Sequence, residues 1–408
     1  MSARDANSRF QPLFFDASLC ASGDPTAYGL QAHSSANEAL ATAAQSGLFD
    51  GYALSSGLPA CRAAVAAAAS AQLPTTQSGE PAVLASDVFM THGASQALAL
   101  AFGALANTVG DAATPVNVLL PRPGFPLYQT LCEYYGIQCR YYDLNPGANW
   151  EADPAQMVAL ADSNTVGVVI CTPGNPTGCV WSAHHLREVL AAAQAIGAVV
   201  IADEVYAGIV WAPKAQTTPV AALSQHVPVL SIGALSKRYL VPGWRCGWLV
   251  CHDRGRLLAK ARILEALHHL VQMSIGPTVP VQACVPHVLA NTPREWHDTM
   301  CALYAAAAAT CAEAVETTPG LDIDCMPQGA MYLLVRLDLQ AFDGTCNASD
   351  MAWAAALQRE EAVVLLPGTA FGAPGRVRFV LCVTPAVLNA AWTRITAFCK
   401  RHHTGVVP

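Results

Sequence analysis

Four short apolar runs punctuate the middle of the chain, and each stops at a polar or turn-forming residue. Val116–Leu120 stops at Pro121, Val166–Cys171 at Thr172-Pro173-Gly174, Ala198–Ala202 at Asp203, and Val227–Ile232 at Gly233. Runs this short, rich in β-branched residues and without strict alternation, read as strands buried on both faces. Helical stretches such as Leu186–Ile196 separate some of them. The pattern predicts an α/β fold whose mostly parallel sheet is covered by helices on both sides. Cys246–Cys251 reads as one more strand, too close to the preceding run for a crossover helix and therefore expected to run antiparallel. Upstream, the alanine-rich stretch Cys61–Gln72 predicts a helix.

From about Thr292 the pattern changes. It predicts a long helix through Tyr304–Val315, a strand starting at Gly329, a helix near Ala352, strands at Val363–Leu366 and Val377–Val383, and a last helix over Leu388–Arg401. This suits a second, smaller α+β domain. The expected division is an N-terminal arm and part of the small domain in 1–48, a large domain in 49–291, and the small domain in 292–408. No internal repeat and no linker interrupts the chain.

Composition narrows the function. Apolar residues make up 53% of the 408 residues and charged residues only 12%, a balance that points to a large buried interface and a homo-oligomer. The net charge of −7 and the lack of a basic block argue against nucleic acid. No apolar run approaches the length of a membrane span, and MSARDANSRF at the N-terminus carries no apolar core of a signal peptide. A cytoplasmic protein is expected. The 15 cysteines are scattered, odd in number and free of C-x-x-C pairs. They read as small buried hydrophobes in a reducing compartment, not as a disulfide framework or zinc site, and no metal is expected. Without a secretion signal the sequon Asn347-Ala348-Ser349 is idle.

The polar residues fall at telling places. Arg122–Tyr128, Asn175, Asp203–Tyr206 and Lys237 all lie just beyond the C-terminal ends of the predicted strands, the edge at which open α/β sheets bind ligands. The segment Ser236-Lys237-Arg238-Tyr239-Leu240-Val241-Pro242-Gly243-Trp244-Arg245 sets one lysine and, eight positions on, one arginine among apolar and turn residues. A lysine amine forms a Schiff base with an aldehyde, and an arginine fork holds a phosphate. Pro242, Gly243 and the flanking tryptophans suggest a shaped, partly buried arginine. Taken alone, Ser-Lys-x7-Arg is a weak motif, and two solvated cations would read the same.

Six segments, this one included, add up to a specific pattern: LPRPGFPLY from Leu120, NPTG from Asn175, ADEVYAG from Ala202, SKRYLVPGWRCGW from Ser236, GAMYL from Gly329 and LPGTAFG from Leu366. With Ser22-Gly23-Asp24-Pro25-Thr26 near the start, their order and spacing cover nearly the whole chain. The chain resembles the fold-type I, pyridoxal-phosphate-dependent aminotransferases and, more narrowly, the tyrosine aminotransferases. The resemblance implies pyridoxal 5'-phosphate as cofactor, a small-molecule amino acid and a 2-oxo acid as substrates, and a homodimer with shared active sites.

It also implies residue roles. Lys237 would carry the cofactor and move the substrate's α-proton. Asp203 would keep the pyridine nitrogen protonated, and Tyr206 and Asn175 would hydrogen-bond the ring oxygen. Phe125 would stack on the ring. The backbone amides of Ala94 and Ser95, the Ser95 hydroxyl and Arg245 would hold the phosphate, joined by Tyr52 from the neighbouring subunit, and Ser236 would also bind the cofactor. Arg378 would clamp the substrate carboxylate, with Gly23 and Asn175 beside it, although Arg376 lies two residues away on the same strand face. Many relatives carry a serine where this chain has Ala234, while tyrosine aminotransferases often carry a small residue there. A carbon–sulfur lyase of the same fold and a non-catalytic cofactor-binding regulator are the competing expectations. The missing G-x-G-x-x-G turn speaks against a dinucleotide-dependent dehydrogenase.

Overall fold

A computed structural model describes residues 23–75, 82–106 and 115–405, so Met1–Phe10 and Ser22 lie outside it. Two compact units divide these residues. The larger takes 31–303 and 327–330, and the smaller takes the described residues of 1–30, with 304–326 and those from 331 onward. No helix among the described residues is long and apolar enough to cross a membrane.

The larger unit is built on one sheet. Its strands are β1 (Val88–Thr91), β2 (Asn117–Arg122), β3 (Gln138–Asn145), β4 (Glu151–Ala152), β5 (Thr165–Cys171), β6 (Val199–Asp203), β7 (Val229–Ala234) and β8 (Gly247–His252). They lie in the order β1-β8-β7-β6-β5-β2-β3-β4. Neighbours from β7 across to β3 run parallel, while β8 runs antiparallel to both β7 and β1. The antiparallel run of β8 is the one its short connection required.

The central strands are apolar on both faces because both faces are covered. Every residue of β5 and β6 is buried, and Val168, Val169, Ile170, Val200, Ile201 and Ala202 have no exposed surface. The covering helix Ala183–Ile196 buries Leu186, Val189, Leu190 and Ala193, the one-sided stripe expected at helical spacing. Ser182 caps its start by accepting from the His185 amide, and Gly197 ends it at φ 80°, closing onto the Ala193 and Gln194 carbonyls.

Some boundaries shift from the sequence expectation. Helix Ser34–Gln45 belongs to the larger unit, so the N-terminal segment leaves the smaller one near residue 30. The reason is its apolar face: Ala36 and Ala43 are buried in a core cluster with Val281, Val285 and Val288, and Leu40 packs against that cluster. The helix expected from Cys61 begins at Pro59 and ends at Ser70. The long helix starts at Arg294 and runs to Glu316.

The smaller unit carries an antiparallel sheet in the order β11-β12-β10-β9, with β9 at Leu321–Asp322, β10 at Tyr332–Leu337, β11 at Leu366–Pro367 and β12 at Arg376–Val380. The strand expected at Gly329 starts only at Tyr332, after Ala330 turns the chain at φ 55°. The strand expected at Val363–Leu366 shrinks to two paired residues, since helix Asp350–Glu361 ends on Ala362 at φ 53° and only Leu366 and Pro367 reach register with β12. β12 stops at Val380 because the chain must turn into the final helix, Pro385–His402. Phe379 stacks on Trp392 of that helix at 4.8 Å.

Ile201→Ala, at the fully buried centre of β6, is expected to cost about 2–5 kcal/mol of unfolding free energy in denaturant titrations. A loss below about 0.5 kcal/mol would contradict a close-packed two-sided sheet.

Candidate active site

The register of the larger sheet gathers the polar residues at one edge. Cys171 of β5 pairs with Asp203 of β6, which pairs with Ile232 of β7. Asn175 and Lys237 therefore follow their strands onto the same side as Asp203, and Phe125 follows β2 there. Because β8 is antiparallel, it starts where β7 ends, with Gly247 opposite Ala234 and Thr91. Arg245, two residues ahead of β8, and the helix Gly93–Leu105 that follows β1 thus reach that edge too.

Asp203 is 4% exposed. Its Oδ2 accepts from the Tyr128 hydroxyl at 2.7 Å, and Oδ1 accepts from the Val205 amide at 3.4 Å. Burial pushes its carboxyl above the ordinary range, while Tyr128, the Val205 amide and the positive charge of Lys237 pull it back. Lys237, half-buried, is thus close enough to act on Asp203 electrostatically. Tyr128 was not singled out from the sequence, although it closes the LPRPGFPLY block. Its ring is fully buried and meets Phe125 edge-to-face at 5.8 Å. Asn175 and Tyr206 are buried at the same edge, as is Ser236.

A second feature of this edge is an anion cup. Helix Gly93–Leu105 begins at His92 with no side chain capping its amides, so the Ala94 and Ser95 N–H groups and the positive end of the helix dipole are available. Arg245 leans over this terminus, donating through Nη2 to the His92 carbonyl at 3.3 Å and through Nη1 to the Pro242 carbonyl at 3.0 Å. The approach requires glycine at two places. A Cβ on Gly93, which sits at φ 74°, would come within 2.7 Å of Arg245 Nη2, and one on Gly247 within 2.9 Å of the Ala94 nitrogen. Arg245 itself takes a left-handed backbone at φ 48° to turn toward the helix. In contrast to the sequence expectation, it is an exposed side chain in the single chain, held by two carbonyls rather than packed between tryptophans.

Of three further expected residues, one belongs to the larger unit and two to the smaller. Tyr52 is 93% exposed on the larger unit. Arg378 and Gly23 belong to the smaller unit. There Arg378, 5% exposed, lies against the rings of Tyr332 and Phe371, with its guanidinium carbon 4.3 and 4.6 Å from their centroids. Arg376 points its Nε at Asp324, 2.8 Å away.

A buried carboxylate, a nearby lysine and an arginine-capped helix N-terminus fit the pyridine nitrogen, the aldehyde and the phosphate of pyridoxal phosphate in turn. Comparison with known proteins decides the matter. The family model "Aminotransferase class I and II" matches residues 21–395. The chain belongs to the class I and II aminotransferases. Mouse tyrosine aminotransferase is 37% identical over 93% of this aminotransferase and 80% of its own length. Barley nicotianamine aminotransferase A is 34% identical over 94% and 80%. Among solved structures, tyrosine aminotransferase from Leishmania infantum superposes with a TM-score of 0.88 at 32% identity, covering 98% of this chain and 96% of its own. The enzyme is a pyridoxal-phosphate-dependent transaminase acting on an amino acid and a 2-oxo acid.

Glu204 follows Asp203 but faces the other side of the sheet, toward a cavity of about 140 Å³ that Ser231, Trp248 and Val250 also line. Burial pushes its carboxyl up to about 7, although the Val220 amide donates to it at 2.8 Å. A raised folded-state pKa favours the folded protein when the group is protonated, so this contribution is full below about pH 4.5 and lost as pH rises through about 7. Urea unfolding is expected to show that loss in the wild type and a flatter profile in Glu204→Gln. Matching profiles would contradict a half-buried Glu204 with a raised pKa.

Proposed function

We propose that this transaminase takes L-tyrosine, with other aromatic or large apolar amino acids, as amino donor and forms 4-hydroxyphenylpyruvate while passing the amino group to a 2-oxo acid in a ping-pong cycle. The observation that carries this reading is the similarity to tyrosine aminotransferases in both sequence and structure across nearly the whole chain. The nicotianamine aminotransferases, almost as similar, support a second donor class.

When bound, pyridoxal phosphate supplies an electron sink for the substrate's α-carbon. Lys237, whose positive charge acts on the buried Asp203, is assigned the proton transfer at that carbon. Asp203 would keep a proton on the pyridine nitrogen, and its burial with the Tyr128 hydroxyl would strengthen that pairing by excluding water. Tyr206 and Asn175 would donate to the ring oxygen, and Phe125 would stack on the ring. The Ala94 and Ser95 amides and Arg245 would hold the phosphate, with Ser236 also at the cofactor. Arg378 is assigned the substrate carboxylate, with Gly23 and Asn175 assisting. The ion pair of Arg376 with Asp324 supports Arg378 over Arg376 for that task.

A homodimer completes the reading. Leu48, Tyr52, Leu54, Met273 and Ile275 are all strongly exposed on the larger unit, and Gly276 lies beside the Leu54 and Ser55 carbonyls. An exposed apolar patch of this kind is what a second copy would cover, and Tyr52 then serves the partner's phosphate cup. Free, mostly buried cysteines support a reducing compartment such as the cytoplasm.

With L-tyrosine and 2-oxoglutarate or pyruvate, the wild type is expected to release 4-hydroxyphenylpyruvate. Lys237→Ala should lower that rate by at least about 10²–10⁴-fold, the usual contribution of a general acid–base group, with unchanged circular dichroism. Near-normal turnover in the variant would remove the assignment, and a wild type active on other amino acids but not tyrosine would remove the donor.

The two arginines separate by kinetics. Arg378→Lys should raise the KM for the amino donor about tenfold or more, because a bidentate carboxylate contact is lost. Arg376→Lys should stay within about twofold of wild type, as expected for a partly exposed ion pair. Equal effects, or the reverse order, would transfer the role to Arg376.

A further inference from the structure

Within the smaller unit, the end of the last helix is tied to the turn Gly344–Asn347 by backbone contacts. The Asp343 amide donates to the His402 carbonyl at 2.8 Å, and the Thr404 amide donates to the Ala341 carbonyl at 2.9 Å. Phe342 forms an isolated β-bridge with His403. Its ring is buried and lies edge-on to Trp353 and His403, which fixes the turn against the core.

This frame collects three side chains that ligate metals. A carboxylate oxygen of Asp343, Sγ of Cys346 and a ring nitrogen of His402 all lie within 4.8 Å of one another. Asp343 Oδ1 is 2.8 Å from His402 Nδ1. The other ring nitrogen, Nε2, is 2.9 Å from Glu360 Oε2, and that same oxygen accepts from Arg401 at 3.1 Å. Cys346 is 2% exposed.

We propose that Asp343, Cys346 and His402 bind a divalent cation of the zinc class, with His402 ligating through Nδ1 and a water in the fourth position. The donor set of thiolate, imidazole and carboxylate is the mixture that zinc accepts, and two of the three are poor ligands for magnesium or calcium. Donors of a tetrahedral zinc site lie about 3.5 Å apart, so atoms already within 4.8 Å need only small rotations. The ion would replace the hydrogen between Nδ1 and Asp343 and leave the other contacts of the ring intact. Glu360 is the strongest sign. A metal-bound histidine usually donates its remaining N–H to a carboxylate, which fixes its tautomer and orientation. Glu360 stands at that nitrogen and is itself held by Arg401. An ordinary histidine–carboxylate pair would need neither the second carboxylate nor a buried thiol beside the first. A bound ion would fasten the turn to the helix end and add to the stability of this unit without entering the reaction.

The test uses the cofactor-loaded enzyme freed of metal by a chelator and dialysed. Zinc binding is followed by competition with a chromophoric chelator, and Co²⁺ provides a spectroscopic substitute through tetrahedral d–d bands at wavelengths longer than those of the cofactor. The wild type is expected to bind one equivalent of Zn²⁺ per chain, to show the cobalt bands, and to melt at a higher temperature with Zn²⁺ than without. Cys346→Ser and His402→Gln should each lose that equivalent and the thermal shift while keeping transaminase activity. Glu360→Gln, at the surface, should retain the site with affinity lowered about 10–100-fold, the usual effect of removing such a partner. The proposal is overturned if the wild type binds no stoichiometric Zn²⁺. It is overturned equally if Cys346→Ser and His402→Gln, shown to be folded by their activity, bind as wild type does. Should either core variant fail to fold, unchanged affinity in Glu360→Gln overturns it.

Discussion

A carboxylate taken out of water at the end of β6 is the constraint on which the rest of the site depends. Burying Asp203 as an anion costs several kcal/mol unless something offsets it. Three groups do so: the Tyr128 hydroxyl, the Val205 amide and the charge of Lys237. The Val205 amide is local to Asp203, while Tyr128 and Lys237 come from distant segments that the sheet brings to the same edge. The parallel pairing of β5, β6 and β7 brings Cys171, Asp203 and Ile232 level. The reversed β8 then delivers Arg245 to the same edge. The acid, the amine and the anion cup are therefore not independent acquisitions. They share one supporting layer of buried valines and isoleucines.

The phosphate cup shows the same economy of parts. A helix N-terminus offers amides but little charge, and an exposed arginine offers charge but little fixed geometry. Packing one on the other supplies both. The packing depends on the absence of side chains at Gly93 and Gly247, where a methyl group would meet the guanidinium or the helix backbone. Arg245 bends through a left-handed conformation to get there, and local strain of about 1 kcal/mol or more is a common feature of ligand clamps.

The two units use their charges differently. In the larger, ion pairs such as Arg122–Asp143 and Arg262–Glu265 lie at the surface, while Asp203 is directed to the site and Glu204 to the opposite face. In the smaller, Arg376, Arg336, Asp322 and Asp324 form a connected set of ion pairs along the sheet, while Arg378 lies against the rings of Tyr332 and Phe371. Two arginines of one strand face are thereby given unlike surroundings. In the same unit, Asp343, Glu360 and His402 make a further polar cluster near the buried thiol of Cys346.

The sequence by itself determined the strands of the larger sheet, because fully buried strands must be apolar throughout and end at polar or turn residues. It also determined the family, because short segments such as ADEVYAG and SKRYLVPGWRCGW carry chemistry in fixed local order. Strand ends beyond apolar runs were enough to point Asn175, Asp203 and Lys237 at one edge. Tertiary structure alone decided what depends on distant partners. Tyr128 looked like any aromatic of a helix start until its hydroxyl met Asp203, 75 residues on. Helix Ser34–Gln45 carried no mark of its unit until its alanine face met Val281, Val285 and Val288. Arg376 and Arg378 differ in no local feature, and only Asp324 and the two rings tell them apart. Cys346 and His402 fit no metal-binding spacing, since their proximity comes from packing the last helix against a turn more than fifty residues earlier, and spacing rules read only ligands that are neighbours along the chain.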